Sequence, residues 1–234
     1  MSRQKLLLLN LIIFSLFFTW VMVSPEFTGG QQPLPEKHKL PERGAPGNRR
    51  DSGHRDPNPC DFLVLTPEKN WGSTAAANPT FWLYIPHKID SSLPLELVLR
   101  DVKYDVVYRQ IFRITQGEGI VSLQIPKETS PLQVGNQYKW QFFCKNYSND
   151  GWIARVALEK EVEEQLQQAT PRERVLIFAQ QGLWFETFTE LAELRRKSTN
   201  AQLDKDWLSL LEHPMVRLQE IASEPLLPCC ETQQ

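Results

Sequence analysis

The stretch Pro131–Leu158, PLQVGNQYKWQFFCKNYSNDGWIARVAL, constrains the fold of this chain more than any other. Tyr138, Trp140, Phe142 and Cys144 alternate with Lys139, Gln141 and Lys145, the period-two pattern of a strand with one buried face. Asn146 to Gly151 reads as a turn cluster, after which Trp152, Ala154, Val156 and Leu158 resume the alternation against Arg155 and Glu159. Two adjacent strands of this kind need a second apolar layer to cover them, so the remaining chain has to supply more sheet.

It does. Phe62–Leu65, Pro79–Pro86, Leu95–Arg100, Val106–Ile114 and Val121–Ile125 each read as a strand, the fourth blurred enough to imply a bulge. Prolines bracket the second, and turn residues separate all of them at the spacing of a sandwich. No long helical pattern interrupts them, which argues against a βαβ arrangement. The order Leu132-x-x-Gly135-x-x-Tyr138-x-Trp140 resembles the tyrosine corner that enters the penultimate strand of immunoglobulin-like and fibronectin-like sandwiches. In the second strand Trp82 and Tyr84 fall opposite Phe81, Leu83 and Ile85, so two aromatic rings either face outward as a sugar-stacking platform or are covered by the same chain.

From Leu158 the period lengthens towards four. Leu158, Val162, Leu166 and Ala169 mark one helical face, and Thr170-Pro171-Arg172-Glu173 is a capping box with proline at the first helical position. Gly182 closes that helix, another runs through Trp184, Phe188, Leu191 and Leu194, and a third follows the Ser198-Thr199-Asn200 cap with Leu203, Trp207, Leu210 and Leu211 on one side. Pro214 breaks it, and a short last helix around Val216–Ala222 leads to Pro225. Ala179-x-x-Gly182-Leu183-Trp184-Phe185-Glu186 resembles a single tetratricopeptide-like turn, and a lone repeat cannot bury its own face. The helices are therefore expected to dock on the sheets.

The fold class expected is mainly β with an α tail (α+β): an immunoglobulin/fibronectin-like antiparallel β-sandwich of about seven strands packed against a C-terminal helical segment. The expected organisation is an N-terminal signal or anchor over 1–24, a tether over 25–59, the sandwich over 60–160, the helical tail over 161–228 and a Cys-Cys tail over 229–234. Arg3 and Lys5 precede the apolar run Leu6–Val23, the layout of a secretory signal and also close to the length of a membrane span. A cleaved signal is the first reading and an uncleaved anchor the second. Either places the body of the protein in the periplasm or outside the cell, and the uncleaved form alone touches the inner membrane, through this segment. Residues 25–59 hold seven of the seventeen prolines and five of the eleven glycines, too little apolar surface to offset the entropy of ordering them.

Chemical motifs are sparse in this chain. Lys and Arg total 26 against 28 Asp and Glu, a net charge of −2 that disfavours nucleic acid as a partner. There is no phosphate-binding glycine loop, no G-x-S-x-G and no H-E-x-x-H. The four histidines are scattered, none at metal-ligand spacing from another: His38 and His54 lie in the tether, His213 lies near the C-terminus, and His87 ends a strand where a cleft with Asp90 or Asp101 competes with a plain surface position. Arg43, Arg49 and Arg50 form a basic cluster that is either a docking loop or a solvated linker; with His87 they are the candidate interaction surface. No catalytic residue, metal ligand or cofactor is assigned.

Cys60, Cys144, Cys229 and Cys230 are a disulfide set for an exported chain. Cys60 stands just before the first strand and Cys144 closes the penultimate one, at the same pole of an immunoglobulin-like order. The expected bridge is Cys60–Cys144, leaving Cys229 and Cys230 to each other or to a partner; the competing pairing staples Cys60 or Cys144 to the C-terminal pair. The vicinal pair could also bind a soft metal, though a structural role is the simpler reading.

Read together, Arg43-Gly44-x-Pro46-Gly47, Cys60, Pro79-Thr80-Phe81-Trp82-x-Tyr84-x-Pro86, Val107-Tyr108, Gly119-Ile120-Val121-Ser122-Leu123, Tyr138-x-Trp140, Gly151-Trp152-Ile153-x-Arg155-Val156, Ala169-Thr170-Pro171-x-Glu173-Arg174, Leu191-Ala192-Glu193-Leu194-Arg195 and Cys229-Cys230 resemble a family of exported cyanobacterial proteins catalogued as a domain of unknown function. The resemblance implies compartment and lineage and brings no catalytic residues. The expected function is a non-enzymatic exported interaction or structural module of the cell envelope that binds a protein or envelope component. The alternative is an extracytoplasmic hydrolase or carbohydrate-binding protein whose site is built from loop residues.

Overall fold

The computed structural model describes residues 60–87, 93–114, 117–129, 131–228 and 231–233, the last three as backbone alone. The nine strands of the described chain are β1 (Leu63–Val64), β2 (Trp71–Thr74), β3 (Thr80–Ile85), β4 (Leu95–Arg100), β5 (Val106–Arg113), β6 (Gly119–Gln124), β7 (Gln137–Cys144), β8 (Tyr147–Arg155) and β9 (Glu231–Gln233). The four α-helices are α1 (Lys160–Gln168), α2 (Pro171–Gln180), α3 (Trp184–Lys197) and α4 (Ala201–Glu212), and one 3₁₀ turn spans Gln219–Ile221. The fold is mixed α and β with two sheets. One has the order β1-β3-β6 and the other β2-β8-β7-β4-β5-β9.

The inner faces of the sheets meet through aromatic rings. Phe81 of β3 lies edge-on to Trp140 and Phe142 of β7, at centroid distances of 6.1 and 5.5 Å, and Phe112 of β5 meets Phe142 at 6.2 Å. Strand alternation places these rings on one side, since Tyr138, Trp140, Phe142 and Cys144 are all buried.

Several details differ from the sequence reading. The turn after β7 is not a cluster from Asn146 to Gly151. Lys145, at φ 51°, and Asn146 make a two-residue turn, and β8 begins at Tyr147 opposite Cys144. The core side of β8 is Gly151 and Ile153, paired with Trp140 and Tyr138, so Trp152 faces the other way beside Lys139. The reason is space: a Cβ on Gly151 would stand 2.3 Å from Cζ2 of Trp140 and 2.4 Å from the Asn70 carbonyl oxygen. The third difference is β2, which the alternation pattern missed because all four of its residues are buried. It pairs parallel with β8, so the larger sheet is not purely antiparallel. The last helix shrinks to the 3₁₀ turn, and Leu158 lies before α1 rather than in it. The bulge expected in the fourth strand is present as a register shift beside Leu99 and Arg100, with Val107 the extra residue.

Helix α2 starts where the capping box places it. Thr170 accepts a hydrogen bond from the Glu173 amide and Glu173 accepts one from the Thr170 amide. Gly182, at φ 69°, turns the chain into α3. Helix α3 then contacts β2 and β3. Phe185 lies 5.2 Å from Phe81, Phe188 lies 5.7 Å from Trp82, and Trp82 Nε1 donates to Thr189 Oγ1 at 3.0 Å. Trp184 Nε1 donates to the Leu65 carbonyl at 3.0 Å, and Trp207 of α4 closes the stack at 5.0 Å from Phe188. Trp82 is therefore covered by its own chain and offers no stacking platform. Beyond the 3₁₀ turn, Leu226 bridges to Ile120 and Leu227 donates to the Ile120 carbonyl, holding the chain against β6 before β9 pairs with β5.

Candidate recognition surface

At the end of the larger sheet where β4 and β8 finish and β7 begins, two loops stand side by side. The β4–β5 hairpin is shaped by Asp101. Its Oδ1 accepts from the Lys103 amide at 2.8 Å and the Asp105 amide at 3.0 Å, an Asx-type turn that lets Tyr104 take φ 69°. Arg100 ties the hairpin down, donating from Nη1 to the Tyr104 carbonyl and from Nε to Gln141 Oε1. The β6–β7 loop is fixed by the tyrosine-corner contact: buried Tyr138 accepts the Gln133 amide on its hydroxyl at 2.9 Å. Gly135, at φ 84° with open space about it, turns the loop and donates to the Arg155 carbonyl at 2.8 Å.

Between the two loops lies an open cavity of about 470 Å³. The hairpin contributes Asp101, Val102 and Val107, the loop Pro131, Gln133 and Asn136, and β7 Gln137 and Tyr138. One carboxylate, three carboxamides and an apolar wall can orient a ligand by hydrogen bonding and contact. Val102, Tyr104, Val106, Val107, Val134 and Val156 are all exposed around this end, Val102 at 62%, interleaved with exposed Lys103, Asp105 and Gln133.

The candidates named from sequence fall elsewhere. His87 is exposed in the bend after β3 and is not among the cavity residues; Asp101 lines the cavity without it. Arg43, Arg49, Arg50, Asp90, Cys229 and Cys230 lie outside the described residues. Cys60 and Cys144 form a buried disulfide with Cα atoms 5.9 Å apart, closing a sequence separation of 84. Among the described residues no group of His, Cys, Asp or Glu is placed to hold a metal ion, and no helix is long and apolar enough to cross a membrane.

The perturbed ionisable groups serve packing. Burial pushes the Tyr108 hydroxyl up to about 12, and it donates to Gln110 Oε1. Burial also raises the Glu186 carboxyl, against hydrogen bonds to Oε1 from Thr74 Oγ1 at 2.6 Å and from the Ala75 and Ala76 amides at 2.8 and 3.0 Å. The hydrogen bond to Asp206 raises the Arg172 guanidinium in a two-pronged ion pair, at 2.7 and 3.0 Å, that joins α2 to α4.

The model of a family described as a domain of unknown function, DUF928, matches residues 45–226. The chain belongs to the DUF928 family. No curated protein matches it. The DUF928 match takes in both loops of the cavity, the disulfide and all four helices. The sequence signal for the cavity was present but divided: Tyr138 was legible as a corner residue and Asp101 as a candidate cleft partner of His87, while Val106 and Val107 read as part of a strand.

Proposed function

We propose that this DUF928 domain is a non-enzymatic interaction module of the cell envelope that docks a protein partner at the end of the larger sheet, on the rim of the Asp101 cavity. The concentration of exposed apolar side chains there carries the reading. Six of the eight large exposed hydrophobic residues of the described chain are in or directly beside these two loops, whereas scattered single ones would need no explanation. Elsewhere on the outer face of the sheet, Glu96–Arg109 and Lys139–Asp150 form ion pairs at 2.9 Å each. The exposed apolar side chains of the rim are the part in want of a partner.

The strand order supports an immunoglobulin-like sandwich: β1, β3 and β6 take the places of strands A, B and E, and β8, β7, β4 and β5 those of G, F, C and C′. In this reading the helical segment is an appendage that seals one open side. Export is supported by the Cys60–Cys144 bridge, which is compatible with an oxidising compartment, and by the apolar run Leu6–Val23. Cyanobacterial lineage rests on the resemblance of the motifs alone.

The test is capture of envelope proteins by the immobilised full chain and by a Val102→Asp/Val107→Asp variant, read by mass spectrometry with far-UV dichroism as a folding control. A partner should be retained by the wild type and lost by the folded variant. Identical retention by both would refute the reading. A carbohydrate-binding role is the second reading, favoured by the three carboxamides and Asp101 in one cavity. A glycan array bound through Asn136 and Gln137 would establish it.

A further inference from the structure

We infer that the cavity beside Asp101 receives a basic side chain, Arg before Lys, carried on an extended segment of the docked protein. The inference rests on the docking reading above and names the chemistry of the partner. Asp101 is the one charged side chain in the lining, and it makes no ion pair with a described residue. Its two backbone hydrogen bonds both fall on Oδ1. A carboxylate offers about four acceptor sites, so Oδ2 and its lone pairs are left for a ligand. Its chain neighbour Arg100 is already committed to Gln141 and the Tyr104 carbonyl.

The wall suits the stem of such a side chain. Lys and Arg lay their methylenes along apolar surface and keep the charged head among polar groups, and here Val102, Val107 and Pro131 face the same space as Asp101. The carboxamide oxygens of Gln133, Asn136 and Gln137 can take the remaining N–H groups of a guanidinium, whose five donors fit a carboxylate and its neighbours better than the point charge of an ammonium. A volume of about 470 Å³ exceeds one side chain and leaves room for flanking backbone. The exposed valines of the rim then meet apolar residues on either side of the basic one.

Fluorescein-labelled Ser-Val-Xaa-Val-Ser peptides, with Xaa Arg, citrulline or Glu, test this by fluorescence anisotropy against the full chain in non-ionic detergent. Citrulline keeps the shape of Arg and lacks its charge. The expected order is Arg over citrulline over Glu, with about tenfold or more between the first two and a narrower gap at high salt. Asp101→Asn keeps the Oδ1 acceptor of the turn and should abolish the difference, while Arg109→Gln, outside the cavity, should leave it intact.

Equal affinity for Arg and citrulline peptides, lost in Val107→Asp, overturns the basic-residue inference and leaves the docking reading standing. Peptide binding that neither Asp101→Asn nor Val107→Asp alters also overturns it, and the envelope capture experiment then decides the docking reading separately. A dimer that sedimentation detects and Val107→Asp disperses would put a second copy of the chain in the cavity, and overturns it too.

Discussion

Glu186, in the first turn of α3, ties that helix to the residues that follow β2, and two substitutions separate its hydrogen bonding from its charge. Glu186→Ala removes the acceptor of three donors: Thr74 Oγ1, the Ala75 amide and the Ala76 amide. The Ala76 amide keeps a second acceptor in Thr74 Oγ1 at 3.0 Å, so the Thr74 hydroxyl and the Ala75 amide are the donors left without an acceptor. Hydrogen bonds to a charged group contribute about 1.5–3 kcal/mol each, and removal of the buried carboxylate offsets part of the loss. The net destabilisation expected is about 3 kcal/mol, read as a shift in the urea midpoint of the disulfide-intact protein at unchanged slope.

Glu186→Gln keeps the Oε1 acceptor and removes the charge, whose second oxygen, Oε2, is buried without a hydrogen-bond partner. The variant should stay within about 1 kcal/mol of wild type at neutral pH. The discriminating measurement is pH dependence. Burial raises the carboxyl in the folded state, so the folded protein holds this proton more tightly than the unfolded chain does. Its contribution is fully present below the unfolded value of about 4.3, and is lost as pH rises through the raised folded value. The wild type should therefore lose stability relative to Glu186→Gln across that window and run parallel to it above. If the two proteins run parallel from pH 4 upward, the carboxyl is not perturbed. If Glu186→Ala costs under about 1 kcal/mol, the tie between α3 and the β2 loop is not stabilising in the way argued.

Two further outcomes are expected. Gly151→Ala should destabilise by about 1–3 kcal/mol, because the new Cβ collides with the Trp140 ring and the Asn70 carbonyl; Gly135→Ala meets nothing within 4 Å and should cost only the about 1–2 kcal/mol of a left-handed residue. A urea midpoint for Gly151→Ala equal to that of the wild type would remove the close-approach argument. Reduction of Cys60–Cys144, or its replacement by Ser at both positions, should lower stability by about 4–5 kcal/mol in the chain-entropy model for a separation of 84, and midpoints unchanged by reductant would count against a native bridge.

The sequence alone determined the parts whose signal is local. The alternation from Tyr138 to Cys144 made β7, the Thr170–Glu173 box set the start of α2, and Gly182 its end, because each depends on residues within one turn or one pleat. Cys60 and Cys144, placed at one pole of the expected sandwich, were the first of two pairings and are the one the structure joins, and Tyr138 was identifiable as a corner from its spacing. Register and edges belong to the tertiary structure. Trp71–Thr74 shows no alternation because both its faces are covered, and only the parallel pairing with β8 makes it a strand. Gly151 reads as a turn residue until Trp140 needs the space, which puts Ile153 inside and Trp152 outside. Asp101 reads from the sequence as a candidate cleft partner of His87; it shares a cavity instead with Gln133 and Tyr138, more than thirty positions away, only because β4 pairs with β7 and brings both loops to one end of the sheet. Local pattern states which side of an element is apolar, and long-range pairing decides what that side, and the loops at its ends, come to face.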